Sequence, residues 1–265
     1  FGGGAIFFQL QPKKAIINDI NTELTNFYSL LRDQKQYSLF KKELYEYVDN
    51  WEKIPKYIGV FENKLVKPYE LYKHNEISKN ELSKQVNSIL KKEESRFNGL
   101  FHKDFCLDEQ NLLKQITSNL ISKIARTSQI EKQRGQLPEG DLQKNIETAF
   151  RSGFYMHFRD VMNYNGSKYK ISLPKKVANY YFIREFCYGS MFRFNKNGHF
   201  NIPYGGIGYN TKDFRGKVDY IFSDEVKKLF KDTTIKNEDF EKIFNSYDFT
   251  KKDFIFLDPP YDTDF

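Results

Sequence analysis

Apolar and polar positions alternate with different periods along the chain, and the period predicts the element. Ala15-Ile16-Ile17 is a short apolar run that reads as a strand, ended by Asn18-Asp19-Ile20-Asn21. Residues 22–31 then carry apolar side chains at helical spacing. From about residue 34 to 150 the chain is polar, Lys/Glu-rich and poor in turn signals. Within it, residues 43–48 and 112–121 repeat apolar side chains every three or four positions, which predicts several amphipathic helices. Residues 133–140 read as a loop, after which residues 141–150 resume a helix with Asp141 as its cap. Residues 218–223 read as a strand or the start of a helix. Near the end, Phe254-Ile255-Phe256-Leu257 is an apolar run bounded by polar residues, the pattern of a buried strand in an α/β sheet.

Three stretches carry turn chemistry. Phe1-Gly2-Gly3-Gly4 is a glycine turn running into an apolar segment. Its glycines let the backbone approach a ligand closely, and the next residues can start a helix whose N-terminus faces it. Phe192-Arg193-Phe194-Asn195 and His199-Phe200-Asn201-Ile202 flank an Asn197-Gly198 turn, which predicts a β-hairpin. One face would be aromatic. The other would offer Arg193, Asn195 and Asn201, side chains able to read guanine and adenine in a major groove. Asp258-Pro259-Pro260-Tyr261 follows the last apolar run at once. Neither proline has an N–H, so a ladder must stop there and a stiff loop must begin. That loop carries a carboxylate, an uncommitted carbonyl and an aromatic face. Two acceptors side by side suit an exocyclic amino group, and the ring suits a base lifted from a duplex.

Composition narrows the classes. The chain has 265 residues, 39% hydrophobic and 17% aromatic, enough for a substantial core and against disorder. Its net charge of +7 favours a polyanionic partner. Lys212, Arg215 and Lys217 add positive charge for phosphates. Charge runs such as Lys91-Lys92-Glu93-Glu94 read as solvated helix faces, and His74, His102 and His157 have no ligand or triad partners. Cys106 and Cys187 stand in no metal-ligand spacing, and with no signal peptide in view a reduced cytoplasmic setting is the simplest reading. No apolar run approaches the roughly 20 residues of a membrane span.

These stretches, in this order, resemble the Dam-type DNA adenine methyltransferases, the D12 or α-group class. The resemblance rests on residues 1–8, residues 15–28 with their Asn-Asp-Ile-Asn strand end, the hairpin segment and the Asp-Pro-Pro-Tyr loop. The family's first motif often ends in a glycine where this chain has Ala5. The resemblance implies an α/β fold, with a Rossmann-like, S-adenosylmethionine-binding sheet and an inserted helical and β-hairpin target-recognition domain. Residues 1–33 and 214–265 would form the catalytic domain, and residues 34–213 the insertion. Phe1, Gly2, Gly3, Gly4 and Asp19 would hold the cofactor, with Asp19 on its ribose. Asp239 and Phe240 match the third motif, where a carboxylate accepts from the cofactor's adenine; Asp19 and Asp239 each also read as helix caps. Asp258, Pro259, Pro260 and Tyr261 would hold the flipped adenine. Tyr188, Met191, Arg193, Asn195, Asn201 and Pro203 would contact DNA, with Tyr188 inserting into the duplex. Gly189 departs from the family pattern, which has Asn there.

The resemblance implies a site-specific N6-adenine methyltransferase acting on double-stranded DNA in a bacterial or phage-infected cell. A restriction endonuclease is the implied companion, and no metal is implied. N4-cytosine transfer uses the same loop chemistry, although Asp258 favours adenine. A catalytically inactive DNA-binding specificity module is the reading from another class. The chain opens inside a motif and stops four residues after Tyr261, so flanking segments are expected beyond both ends.

Overall fold

In the computed structural model of the protein, residues 1–97, 102–191 and 193–258 are described. The fold is mainly helical with a small parallel sheet. In chain order the helices are α1 (Ala5–Leu10), α2 (Thr22–Arg32), α3 (Tyr37–Gly59), α4 (Glu62–Lys73), α5 (Lys79–Glu93) and α6 (Lys103–Cys106). They continue as α7 (Glu109–Arg134), α8 (Asp141–Asn163), α9 (Leu173–Phe186), α10 (Phe214–Ile221), α11 (Asp224–Lys231) and α12 (Phe240–Ser246). The strands are β1 (Ala15–Asn18) and β2 (Thr233–Lys236). The chain divides into two compact units. One is Phe1–Lys42 with Gly216–Phe265, and the other is Glu43–Arg215.

The first unit is built around the pairing of β1 with β2, parallel and in the register Ala15 to Thr233 through Asn18 to Lys236. Ile17 points into a core shared with Phe7, Leu24, Phe27, Tyr28, Leu31, Val226 and Phe230. Tyr28 stacks on Phe230 with centroids 5.8 Å apart. Helix α2 starts where expected, but Asn21, not Asp19, is its cap: the Asn21 side chain accepts from the N–H groups of Glu23 and Leu24. Residues 218–221 lie in helix α10.

Residues 254–257 are not a strand. Their side chains are exposed, Phe254 by 72%, and among the described residues the sheet consists of β1 and β2 alone. An apolar run becomes a strand only where a neighbour supplies a ladder, and none does here.

The second unit is helical, with α7 and α8 as its longest close pair. Gly153 makes that pairing possible, since a Cβ there would come within 2.4 Å of the Ile116 Cα. An aromatic cluster fills the interior: Tyr47 stacks on Phe182 at 5.0 Å, and Trp51 lies 4.2 Å from Phe186. Helix α7 runs through Arg134, so the loop after it starts later than residue 133, and the N-cap of α8 is Gly140 in the left-handed conformation rather than Asp141. Left-handed backbone suits Gly and leaves Asp141 in the first turn, where its charge meets the helix N-terminus. In the charge run at residues 91–94, Glu93 is buried and paired with Lys64. Cys106 and Cys187 are buried free thiols. Among the described residues no helix is long and apolar enough to cross a membrane, and no cluster of His, Cys, Asp and Glu could hold a metal.

His157 is fully buried and serves as a neutral bridge. Asn111 Nδ2 donates to its Nδ1 at 3.0 Å, and its Nε2–H donates to the Cys106 carbonyl at 2.7 Å. Burial lowers its pKa to about 4, against the opposing pull of the Cys106 bond. The unfolded chain therefore takes up this proton first as pH falls. Stability is full above about pH 6.5, the ordinary imidazole value, and falls as pH drops toward 4, by about 3 kcal/mol from this residue. Urea midpoints measured across that window should show the loss, and His157→Gln should flatten it.

Candidate functional site

The glycine turn owes its shape to backbone that other residues avoid. Gly2 and Gly4 have φ of +59° and +72°, where a Cβ would clash with its own carbonyl. A Cβ on Gly4 would also press within 3.0 Å of the Phe1 and Phe8 rings. Helix α1 begins directly after it, at Ala5. The turn is held from two sides. Asp19 Oδ2 accepts from the Gly2 N–H at 2.9 Å and from the Phe1 nitrogen at 3.2 Å. The Tyr28 hydroxyl donates to the Gly2 carbonyl at 3.1 Å. Asp19 Oδ1 accepts from the Asn21 N–H at 2.9 Å. Burial pushes the Asp19 carboxyl up, while the hydrogen bonds from the Gly2 and Asn21 N–H groups pull it down.

Asp258 comes to the same place. A Cβ built on Gly2 would lie 4.0 Å from Asp258 Oδ2. The structure thus brings together Gly2, Asp19 and Asp258, three residues drawn from opposite ends of the chain. Pro259, Pro260 and Tyr261 lie outside the described residues.

Both strands end in a carboxylate. Asp19 follows β1, and Asp239 stands three residues after β2, where it caps α12 by accepting from the Glu241 N–H at 2.9 Å. The next residue along from each is apolar and exposed, Ile20 by 74% and Phe240 by 60%. Between the two ends lies a set of amide bonds. Asn18 donates to the Glu238 carbonyl at 2.9 Å and accepts from its N–H at 3.0 Å. Asn237 donates to the carbonyls of Asp19 and Ile20 at 2.8 and 3.0 Å and accepts from the Thr22 hydroxyl at 2.9 Å.

In the second unit the expected hairpin shows, among the described residues, the antiparallel bridge of Phe194 to Phe200 around the Gly198 turn. Asn195 Oδ1 accepts from the N–H groups of Asn197 and His199, so that oxygen holds the turn itself. Phe192 lies outside the described residues. Side chains still alternate across the segment: Phe200, Ile202 and Tyr204 are buried, while Asn201 and Pro203 are exposed. Tyr188, 56% exposed, is joined to Pro203 by its N–H at 2.9 Å, and the Asn201 N–H reaches the Arg193 carbonyl at 3.4 Å. Tyr188, Met191, Arg193, Asn201 and Pro203 are all exposed along this segment. Gly189 has φ +63°, a region that Gly and Asn tolerate best.

Two of the three charges expected to meet phosphates, Arg215 and Lys212, are paired with carboxylates. Arg215 forks onto Glu52 and also binds Asp49 at 2.6 Å, and Lys212 pairs with Glu185 at 3.3 Å while lying over the Tyr209 ring. Cations already engaged by carboxylates have less to offer a phosphate.

A family profile described as D12 class N6 adenine-specific DNA methyltransferase matches residues 1–105 and 108–264. The chain belongs to the D12 class methyltransferase family. Among curated proteins it is similar to the Type II methyltransferase M.CviBI of Paramecium bursaria Chlorella virus NC1A. The two are 40% identical over 89 residues, 34% of this chain and 32% of that protein. It is 35% identical over 121 residues to the Type II methyltransferase M.MjaIII of Methanocaldococcus jannaschii, covering 44% of this chain and 37% of that one. The Retron Ec67 DNA adenine methylase of Escherichia coli is 30% identical over 125 residues, 45% of this chain and 38% of its own. The matches thus span about a third of each relative's length, from 32% to 38%. No solved structure matches the chain.

Three residues of this D12 class chain escaped sequence reasoning. Asn18 and Asn237 had a faint signal, because each strand end reads Asn followed within two residues by Asp. Asn163 had none. It sits at the end of α8, accepts from the Phe200 N–H at 2.8 Å and donates to the Phe200 carbonyl at 3.0 Å. Tyr155 adds a 3.0 Å bond to the Ile202 carbonyl. The segment at residues 200–202 is thus clamped to α8 through its own backbone. Asn163→Ala removes both of its bonds to the Phe200 backbone, each worth about 0.5–1.5 kcal/mol. Amide hydrogen exchange across residues 195–201 should accelerate in that variant, and unchanged exchange would show that the clamp does not hold the turn.

Proposed function

We propose that this chain carries the catalytic and DNA-reading parts of an S-adenosylmethionine-dependent DNA methyltransferase acting on N6 of adenine. The observation that carries this reading is the Asp258 carboxylate beside the Gly2 turn that Asp19 holds, in a chain whose family match runs nearly end to end. The first unit is read as the edge of a Rossmann-like cofactor-binding sheet, and the second as the inserted target-recognition domain.

The residues at the strand ends suit an adenosine. Asp19 would accept from the ribose hydroxyls and Asp239 from the adenine amino group. Ile20 and Phe240 are exposed apolar side chains next to those carboxylates, of the kind that covers a planar base. Phe1, Gly2, Gly3 and Gly4 would lie along the methionine end, where the missing side chains permit close approach. S-adenosylmethionine, when bound, supplies an electrophilic methyl group on its sulfonium.

The adenine amino nitrogen is a poor nucleophile, because its lone pair is shared with the ring. Asp258 and the Pro259 carbonyl would each accept one of its N–H bonds and draw the nitrogen toward tetrahedral geometry. Its lone pair would then be free to take the donor's methyl group, whose bond to sulfur would break to leave the thioether, and the surplus proton would pass to water. Tyr261 would stack on the flipped base. Holding two reactants in this geometry supplies on the order of 7–11 kcal/mol in well-oriented systems. In the second unit Arg193 would read guanine, Asn195 would use its remaining amide hydrogens, and Asn201, Met191 and Pro203 would complete the base contacts while Tyr188 enters the duplex. The Type II designation of two relatives supports a restriction-modification setting with a companion endonuclease, and a bacterial or phage-infected cell is the setting this reading proposes.

Asp258→Ala should lower the rate of methyl transfer by about 10²–10³-fold and leave the affinity for duplex DNA within a factor of about three, because that affinity rests on phosphate contacts made elsewhere. Single-turnover transfer and DNA-binding titration measure the two. Undiminished transfer by the variant would sink the role assigned to Asp258.

A further inference from the structure

Parallel strands of four residues are short, and their ladder ends at Asn18 and Lys236. Beyond that point the backbone makes one more contact, from the Asp19 N–H to the Lys236 carbonyl at 3.3 Å. Both loops then leave the sheet carrying the two carboxylates assigned to the adenosine. Nothing in the ladder itself would fix the separation of those loops. The asparagine amides do. Asn18 exchanges two hydrogen bonds with the Glu238 backbone, as the next rung of a sheet would. Asn237 grips the other loop in return, spending both amide hydrogens on the Asp19 and Ile20 carbonyls. The Thr22 hydroxyl, in the first turn of α2, fixes the orientation of the Asn237 amide. Each amide reaches across to the loop that the opposite strand feeds, so neither loop can shift without breaking bonds to the other.

We propose that Asn18 and Asn237 are positioning residues that set the spacing of Asp19 and Asp239, and so determine affinity for the adenosine half of the methyl donor. This rests on the function proposed above. The amides touch backbone and the Thr22 hydroxyl, and would touch no part of the ligand. Their effect would pass through the two loops, which makes it specific to the adenosine half and silent at the methyl-transfer step.

Asn237 is exposed, so its variants should fold. Calorimetric titration of the whole chain with S-adenosylhomocysteine and with 5′-methylthioadenosine gives the test, since the two ligands share the adenosine and differ at the methionine end. Asn237→Ala should weaken both by a similar factor, about tenfold for two lost hydrogen bonds. Asn237→Asp keeps the size and the acceptor for Thr22 but cannot donate to the two carbonyls. It should be at least as weak as the alanine variant, which a role in packing alone does not predict. Thr22→Val, which removes a single bond to Asn237, should give a smaller loss in the same direction. In steady state the KM for the methyl donor should rise while kcat at saturating donor holds. Wild-type affinity for both nucleosides in Asn237→Ala and Asn237→Asp, or a loss confined to S-adenosylhomocysteine, would overturn the inference. If the wild-type chain itself bound neither nucleoside, the cofactor reading would fail first.

Discussion

Two parallel strands of four residues make very few ladder bonds, and the cofactor-side geometry depends on keeping their ends together. The pairing of β1 with β2 brings residues more than 200 positions apart into register. It succeeds because each strand is braced by helices. Tyr28 of α2 and Phe230 of α11 stack beneath the sheet, and Arg32 donates to the Thr233 carbonyl at 3.0 Å. Everything assigned to the methyl donor hangs from the two strand ends: the carboxylates of Asp19 and Asp239, the glycine turn that Asp19 ties down, and the Asp258 side chain beside that turn. Asp19 is therefore both a scaffold and a candidate ligand group. Its Oδ2 is engaged by the Gly2 N–H, so the same carboxylate that would meet a ribose also fixes the backbone along which the rest of the donor would lie.

The second unit solves a different problem. The base-reading role proposed for the segment around Gly198 would require its outward side chains to be free, so they could not be what holds it. Here the holding is done through backbone groups and inward side chains. Asn163 and Tyr155 bond to main-chain atoms of Phe200 and Ile202, while Phe200, Ile202 and Tyr204 are buried. The left-handed residues Gly189 and Ser190 turn the chain between α9 and this segment. The outward side remains polar, aromatic and exposed, in keeping with the DNA-facing role proposed for it. Long helices α7 and α8 supply the platform, and their close approach rests on the missing side chain of Gly153.

Local chemistry was legible in the sequence. The strand at residues 15–18, the cap-bearing Asn18-Asp19-Ile20-Asn21 segment and the helices of the middle region follow from periodicity, and the Gly198 turn follows from its Asn-Gly pair. Within such a segment the assignment of roles was not legible, because Asp19 and Asn21 are equally good caps and only the path of the chain decides between them. Non-local partners were invisible. Arg215 and Lys212 look like phosphate ligands until Glu52, Asp49 and Glu185 are found beside them. Glu93 looks solvated until helix packing buries it against Lys64. Residues 254–257 have the composition of a core strand, yet burial requires neighbours that composition does not reveal. The asparagine amides joining the strand ends belong to the same class, since each bond spans more than 200 residues.

Incubating the chain with tritiated S-adenosylmethionine and unmethylated double-stranded DNA, then separating the nucleosides by chromatography, tests the central claim most directly. The account predicts label in N6-methyldeoxyadenosine and in no other nucleoside. Label in N4-methyldeoxycytidine, or none despite tight DNA binding, would contradict it.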